Sequence, residues 1–267
     1  MISQVEVDEA TTLAWRLCGT CKDYHLTRPL LIASGVRRGP ERDQEMFAPL
    51  LRRVAPRSAR VLIAGAADAG LMNFVLDALP GDTPNLTVVD LCPTPLQVCE
   101  LAAKRRSVSI STRVADLAKV EPFGKFDLIV AHLILRRIPE DQKSEFLNRM
   151  RLMLAPGGHL IAAFRPGKRV GPRMTPGFDE VMQKLTAAGL SVPEPRQDIL
   201  EALRRVCLES GDEGDKDTDA VEADFQNAGL SIVERHELRP GDQSGRFPRV
   251  YVVAAASGEP KQAGAVP

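Results

Sequence analysis

Short apolar runs rich in β-branched residues alternate with longer segments of helical periodicity along most of the chain after Pro56. The apolar runs predict seven strands, at residues 61–64, 86–89, 108–114, 126–131, 160–164, 230–234 and 250–254. Helical segments lie between them, and this alternation is typical of βαβ units. We therefore expect an α/β fold with a doubly wound, mostly parallel sheet.

Two of the predicted helices have marked boundaries. Residues 94–97, Thr-Pro-Leu-Gln, have the form of a capping box with proline at the first helical position, which predicts a helix over 94–106. Between residues 139 and 155 the apolar side chains recur at i, i+4, i+7 and i+8, so a second helix with one apolar face is predicted. That face consists of Phe146, Met150, Met153 and Leu154. The Pro-Gly-Gly sequence at 156–158 is expected to end this helix.

The predicted elements suggest one main domain with extensions. Residues 1–55 are expected to form an N-terminal helical extension or lid, and 56–257 the α/β domain. Within that domain, 165–219 form an insertion on the substrate side that begins as a Pro/Gly/Arg-rich loop and continues as two helices, at 178–188 and 197–209. The acidic run 211–217 is interpreted as a solvated loop, and the tail 258–267 is expected to be disordered.

Charge and hydropathy narrow the range of partners. The 35 basic and 35 acidic side chains cancel, which argues against nucleic-acid binding by the whole domain. No apolar run approaches the roughly 18 residues of a membrane helix. No secretory signal is visible in the first residues, and a soluble cytoplasmic protein with a small-molecule substrate is expected. A homodimer is left open by the sequence.

The five cysteines show no disulfide framework. Cys18 and Cys21, followed by His25, have a spacing that could supply three metal ligands. Structural zinc normally takes four ligands, and Cys92, Cys99 and Cys207 form no second paired motif. The prediction is that no metal is bound.

A glycine-rich turn follows the first strand. Residues 65–70, Gly-Ala-Ala-Asp-Ala-Gly, allow close approach of a ligand to backbone N–H groups. Asp90 ends the second strand, where a carboxylate accepts hydrogen bonds from ribose hydroxyls. The turn also has the form of a degraded dinucleotide fingerprint, but the methyl group of Ala67 would crowd a pyrophosphate. These residues alone therefore indicate a nucleoside ligand and favour S-adenosylmethionine over NAD.

The stretch from Val61 to Phe164 resembles the class I S-adenosylmethionine-dependent methyltransferases. The resemblance rests on the glycine turn, Asp90, the Ala-Asp-Leu at 115–117, the segment 126–139 around the fourth strand, and the segment 152–161 around the fifth. It implies a Rossmann-like seven-stranded sheet with an antiparallel last strand, S-adenosylmethionine as cofactor and methyl transfer as the activity. The sequence departs from the family pattern at Ile63 and Ala64, where an acidic residue is usual before the first glycine.

The resemblance also implies roles for individual residues. The methionine moiety is expected at the glycine turn, the ribose at the end of the second strand, the adenine after the third strand, and the sulfonium beside His132. The cofactor-binding residues are predicted to be Gly65, Ala66, Asp68, Gly70, Asp90, Leu91, Asp116, Leu117 and His132.

Methyl transfer from a sulfonium needs positioning more than a particular catalytic group, although a base helps when the acceptor is a hydroxyl. His132 is the first candidate base, and Tyr24 and His25 are candidates if residues 1–55 form a lid. The other interpretation is that apolar residues of this segment only dock helices on the sheet, namely Leu13, Leu30, Leu31, Phe47, Leu50 and Leu51. Arg165, Lys168, Arg169 and Arg173 could bind an acidic substrate. A methyltransferase-like protein that binds the cofactor without turnover, another enzyme with the same cofactor, and a nicotinamide oxidoreductase stay open as alternatives.

Overall fold

A seven-stranded sheet with helices on both faces forms the centre of the molecule. The computed structural model describes residues 2–79, 84–166, 177–209, 217–238 and 248–258. The strands are β1 (Arg60–Ala64), β2 (Asn85–Asp90), β3 (Ile110–Val114), β4 (Phe126–His132), β5 (Leu154–Phe164), β6 (Leu230–Leu238) and β7 (Arg249–Ala256). The α-helices are α1 (Gln4–Leu17), α2 (Lys22–Ala33), α3 (Gln44–Val54), α4 (Gly70–Ala78), α5 (Pro93–Arg105), α6 (Lys143–Met153), α7 (Phe178–Ala187), α8 (Arg196–Glu209) and α9 (Thr218–Asn227).

The strand order is β3-β2-β1-β4-β5-β7-β6. Strands β1 to β5 pair in parallel, and β7 runs antiparallel to both β5 and β6. The predicted fold class, with its antiparallel last strand, is therefore confirmed. The strand order reverses between β1 and β4, and doubly wound folds bind their ligands at the carboxyl ends of the strands beside such a reversal.

The central strands are apolar because both of their faces are covered. In β1, Val61 and Ile63 belong to one hydrophobic cluster, whereas Leu62 and Ala64 belong to another, and all four are fully buried. Alternating residues thus face opposite helical layers, which explains why the strand is a continuous apolar run. Each fully buried valine, leucine or isoleucine contributes about 1.5 to 3 kcal/mol of stability.

The N-terminal helices divide between two packing partners. Helix α3 places Phe47, Leu50 and Leu51 in the cluster on one face of the sheet, as the docking interpretation predicts. Leu30 and Leu31 of α2 instead pack in a third cluster with the insertion helices α7 and α8. The expectation that these two leucines dock on the sheet is wrong, because the insertion supplies its own apolar surface beside the N-terminus.

Two predicted helix boundaries differ from the structure. Helix α5 begins at Pro93 with Cys92 as its N-cap residue, so Thr94 does not cap the helix as its sequence predicts. Helix α6 ends at Met153, and the Pro-Gly-Gly sequence lies inside β5, at a bulge opposite Phe126 and Leu128. Glycine is required there because a Cβ on Gly158 would lie 2.8 Å from the carbonyl oxygen of Phe126.

Some predicted features lie largely outside the described residues, namely residues 167–176 of the arginine-rich loop, 211–216 of the predicted acidic run 211–217, and 259–267 of the predicted tail 258–267. The predicted domain boundaries stay predictions. Within the described ranges, no helix combines the length and the apolar character that crossing a membrane requires.

Candidate active site

One large cavity lies at the carboxyl ends of β1, β2 and β4, with a volume of about 1330 Å³. Its lining includes most of the residues that the sequence analysis selects: Tyr24, His25, Gly65, Ala66, Asp68, Asp90, Leu91, Asp116, Leu117 and His132. Gly70 does not line the cavity, since it begins α4 behind the turn. Sequence reasoning thus brings together residues that do share one site, while their individual roles stay predictions.

The turn after β1 depends on the backbone freedom of glycine. Gly65 has φ +84°, and a Cβ at this position would lie 2.0 Å from Cδ1 of Ile134. Its N–H donates to the carbonyl oxygen of Val89 on the neighbouring strand, at 2.8 Å. An L-residue would be strained in this conformation and would also displace Ile134.

Asp90 joins the two loops that enclose the cavity at the ends of β1 and β2. Its Oδ2 accepts from the N–H of Ala66, and its Oδ1 accepts from the N–H of Cys92, both at 2.8 Å. Burial raises the pKa of Asp90 above its ordinary value, although these N–H groups oppose the shift. A carboxylate has about four acceptor sites, so Asp90 retains capacity for a hydroxyl donor beside its backbone partners.

Asp68 and Arg28 form an ion pair beside the turn, with Nε of Arg28 2.7 Å from Oδ2 of Asp68. The N–H of Gly70 donates to Oδ1 of Asp68 at 2.6 Å. Burial alone would raise the pKa of Asp68, but Arg28 and the Gly70 N–H outweigh it and lower that pKa. Sequence reasoning missed Arg28, because it lies on α2 in a segment that the family motifs do not cover.

The segment after β3 also lines the cavity. Asp116 accepts from the N–H of Ala118 at 3.0 Å and pairs with Lys119. Leu117 is buried against the sheet, whereas Leu91 is 70% exposed and lines the cavity. An exposed leucine beside the ribose-binding candidate offers an apolar surface to a flat ring.

His132 ends β4 in a buried polar network. Its Nε2 lies 3.0 Å from the hydroxyl oxygen of Tyr251, and that hydroxyl donates to Oδ2 of Asp43 at 2.7 Å. Asp43 also pairs with Arg249, and both side chains of that ion pair are fully buried. Because the tyrosine proton points at the carboxylate, we assign the Nε2–H tautomer to His132, which leaves Nδ1 as its acceptor.

Burial lowers the pKa of His132 to about 3, and Arg249 and Arg165 add to the effect. The imidazole is therefore neutral at physiological pH. It stacks on Phe47, with ring centroids 5.6 Å apart and an interplanar angle of 15°. The sequence analysis did not select Tyr251. A single hydroxyl in an otherwise apolar strand is the signal that could have identified it.

The two candidates from the N-terminal segment differ in their surroundings. The ring of Tyr24 lies near three guanidinium groups, at 5.0 Å from Arg137, 5.9 Å from Arg37 and 6.0 Å from Arg28. His25 is buried, and its Nδ1 lies 3.2 Å from Sγ of Cys18. Burial lowers the pKa of His25 to about 4. His25 is therefore engaged with cysteines, whereas Tyr24 belongs to a cationic wall.

The cysteine argument from the sequence needs a correction. Cys92, which has no partner by spacing, lies beside Cys18, Cys21 and His25, so the expectation that a fourth ligand is missing is wrong. Packing of α1 against α5, which begins directly after Cys92, brings this residue next to the N-terminal helices, and sequence spacing does not contain that information.

Cations dominate the cavity wall. Eight arginines and two lysines line it, against four aspartates and one glutamate, although the whole chain has no net charge. Burial lowers the pKa of Arg42 to about 10, and the nearby Arg249 contributes to that shift. Of the four basic residues that sequence reasoning selects for an acidic substrate, Arg165 lines the cavity, and the other three lie outside the described residues.

Comparison with known proteins agrees with this architecture. Residues 61–158, little more than a third of the chain, match a family model described as a methyltransferase domain. The sequence matches no curated protein. This match and the fold are consistent with the resemblance of the sequence motifs to the class I S-adenosylmethionine-dependent methyltransferases.

Several solved structures share the fold at low sequence identity. The N-methyltransferase NodS from Bradyrhizobium japonicum WM9, in complex with S-adenosyl-L-homocysteine, is 18% identical, with a TM-score of 0.55 over 93% of this chain and 98% of that one. The mitomycin 7-O-methyltransferase MmcR is 15% identical, with a TM-score of 0.52 over 88% and 57%. The riboflavin-analogue dimethyltransferase RosA from Streptomyces davawensis is 17% identical, with a TM-score of 0.51 over 81% and 53%.

Proposed function

We propose that this protein transfers a methyl group from S-adenosylmethionine to a small anionic metabolite. The observation that carries the proposal is the cavity, whose lining combines the Gly65 turn, Asp90 and His132 with twice as many cationic as acidic side chains. Its volume of about 1330 Å³ exceeds that of a typical site for one small ligand, so a cofactor and an acceptor fit together.

The cofactor would be held by groups already present at the strand ends. The remaining acceptor capacity of Asp90 would suit the ribose hydroxyls, and Leu91 and Leu117, which line the cavity, would offer apolar contacts to the adenine. The structural neighbour NodS contains S-adenosyl-L-homocysteine, and S-adenosylmethionine supplies an activated methyl group when bound. No acidic residue precedes Gly65, so the amino-acid moiety needs another partner.

The Arg28–Asp68 pair would supply that partner. An amino-acid end carries one ammonium and one carboxylate, which are the complements of Asp68 and Arg28 respectively. Both side chains line the cavity beside the turn, 2.7 Å apart. The pair is mostly buried, so it offers a preorganised dipole that water screens weakly.

The acceptor is proposed to be anionic because ten cationic side chains line the cavity against five acidic ones. A concave site of one charge raises the local concentration of oppositely charged substrate. Neighbours with this fold are named as methyltransferases acting on nitrogen or on oxygen, and we leave the acceptor atom open.

His132 would orient the acceptor rather than remove its proton. Its Nε2–H is held by Tyr251, which leaves Nδ1 to accept a hydrogen bond. A group with a pKa of about 3 is a weak base at neutral pH, whereas a fixed acceptor still aligns an N–H or O–H for in-line transfer. Tyr24, on the N-terminal helices that cover the cavity, would help to exclude water.

The first experiment tests the cofactor and its orientation by calorimetric titration. We expect S-adenosylhomocysteine to bind with a Kd on the order of micromolar, about 8 kcal/mol. Arg28→Gln should weaken that binding about 10- to 100-fold, the equivalent of one charged hydrogen bond. The same variant should bind 5′-methylthioadenosine, which lacks the amino-acid end, as the wild type does.

Arg60→Gln is the matched control, since Arg60 pairs with Asp127 at the exposed start of β1. Equal losses for both ligands in Arg28→Gln would refute the amino-acid assignment. Binding of NAD in place of S-adenosylhomocysteine would refute the cofactor.

The second experiment tests turnover. The protein is incubated with S-adenosylmethionine labelled in its methyl group and the small-molecule fraction of a cell extract, and the products are separated by anion exchange. We expect label in the retained fraction, reduced in the His132→Phe variant. Label only in unretained products would refute the anionic acceptor, and cofactor binding with no transfer would favour the alternative of a binding protein.

A further inference from the structure

Four metal-ligating side chains converge beside the cavity. They are Cys18, Cys21, His25 and Cys92, and their ligand atoms all lie within 4.8 Å of one another. Sγ of Cys18 is 3.2 Å from Nδ1 of His25 and 3.6 Å from Sγ of Cys92. Around a tetrahedral zinc ion, bond lengths of about 2.3 Å to sulfur and 2.0 Å to nitrogen place neighbouring ligand atoms roughly 3.5 to 3.8 Å apart. We propose that this Cys3His cluster is a structural zinc site.

The donor set and its burial favour zinc over other ions. Three thiolates and one imidazole are a recurring ligand combination of closed structural zinc sites, whereas magnesium and calcium take oxygen ligands. Cys18, His25 and Cys92 are each less than 10% exposed, and Cys21 is half-buried. All four positions of the tetrahedron are protein ligands, which leaves none for substrate.

Local structure explains how three of the ligands come together. Cys18 caps the end of α1, Cys21 precedes α2, and His25 lies one turn into α2. The N–H of Lys22 donates to the carbonyl oxygen of Gly19, which closes a tight turn between the two cysteines. The hydroxyl of Thr94 lies 3.0 Å from Sγ of Cys18, as an outer-shell group that orients a ligand would.

The competing explanation is a cysteine pair that forms a disulfide. Cys18 and Cys92 have sulfurs 3.6 Å apart, compared with about 2.05 Å in a disulfide. A disulfide would use two of the four groups and would leave Cys21 and His25 without a reason to converge on the same point. A metal ion uses all four.

The location gives the ion a specific role. Cys92 follows β2, and its N–H donates to Asp90, the proposed ribose ligand. His25 precedes Arg28 by one helical turn, on the same face of α2. The ion would therefore fasten α1 and α2 to the loop after β2 and fix both cofactor-binding residues. That consequence rests on the proposed function, but the metal site does not.

The experiment uses the full chain, purified with reductant and without chelator. We expect about one zinc per chain by elemental analysis. Stripped, reduced protein titrated with Co²⁺ should develop the intense visible bands of a tetrahedral ion and thiolate charge-transfer bands, and Zn²⁺ should abolish both. Cys92→Ser should lose the charge-transfer intensity of one thiolate and bind Zn²⁺ more weakly. Thr94→Ala should weaken binding about 10- to 100-fold, as outer-shell losses do.

Cys207→Ser is the control, because Cys207 is a half-buried cysteine outside the cluster, and it should leave the cobalt spectrum unchanged. His25→Cys keeps four ligands and should bind Co²⁺ with a spectrum of four thiolates. This variant tests the metal site if Cys92→Ser fails to fold. Wild-type protein without tetrahedral cobalt bands, or with a mass two hydrogens lower that reductant restores, would overturn the proposal. Zinc binding by protein that does not bind S-adenosylhomocysteine would support the metal site and refute the proposed function.

Discussion

The partly buried imidazole of His132 should make the folded protein sensitive to mild acid. Its pKa is about 3 in the folded state and 6.5 when exposed. Between these values the unfolded chain binds more protons than the folded one, so the free energy of unfolding falls as the pH falls. The contribution of His132 is complete above about pH 6.5 and is lost progressively below it.

The size of the effect follows from the two pKa values. At about pH 5 the unfolded imidazole is almost fully protonated and the folded one is almost fully neutral. The free energy of unfolding has then fallen by the equivalent of the roughly 1.5 pH units between 6.5 and 5, or about 2 kcal/mol. Domains of this kind have about 5 to 15 kcal/mol of total stability, so the loss is easily measured.

Urea unfolding at about pH 7.5 and pH 5 gives the test. The wild type should lose about 2 kcal/mol more between the two pH values than His132→Gln, which retains a hydrogen-bonding group for Tyr251 but does not titrate. His236→Gln is the control, since His236 is a partly exposed residue paired with Glu234, and it should retain the wild-type difference. An equal loss in the wild type and in His132→Gln would refute the assignment of a buried neutral imidazole.

Two further substitutions test the packing around the site. Gly65→Ala should destabilise the fold and abolish micromolar binding of S-adenosylhomocysteine, because it combines strain at φ +84° with a clash at Ile134. Gly189→Ala, which has φ +69° and open space, should cost only about 1 to 2 kcal/mol in a thermal melt and leave binding intact; equal binding by both variants would contradict the argument. Asp43→Asn should cost about 3 to 5 kcal/mol in urea unfolding, because it removes the charge that faces the fully buried Arg249. Glu234→Gln, which breaks an exposed pair with Arg53, should cost less than about 1 kcal/mol. Similar losses of unfolding free energy in Asp43→Asn and Glu234→Gln would show that Asp43 does not stabilise the buried charge of Arg249.

The sheet could be predicted from the sequence because burial on both faces leaves a local pattern. Strands such as β1 and β4 are continuous apolar runs, and the helices between them show their own period. The errors occur where local signals conflict with tertiary contacts. Thr94 has the sequence of a capping residue, yet its hydroxyl lies against Cys18, and the Pro-Gly-Gly sequence that predicts a helix end forms a bulge in β5.

The cavity lining at the strand ends was also predictable in part, because its residues follow strand ends in a fixed order. Gly65, Asp90 and His132 come directly after β1, β2 and β4, or end them, and parallel strands bring such positions to one edge of the sheet. Arg28 was not predictable in the same way. Its position over the glycine turn depends on how α2 packs beside the sheet, and no periodicity encodes that arrangement.

The least predictable contacts are those that join distant segments through single polar side chains. Asp43 meets Tyr251 across 208 positions of sequence, and Cys18 meets Cys92 across 74. In the first case one N-terminal residue joins a group on the sheet, and in the second three N-terminal residues meet a single cysteine on the loop after β2. The N-terminal segment is therefore more than a docked helix pair, because without it His132 would lose the acidic end of its network and Cys92 would lose every neighbour able to bind a metal with it. Removal of residues 1–55 should consequently impair both the buried network and the proposed zinc site, even though the family motifs lie entirely within the rest of the chain.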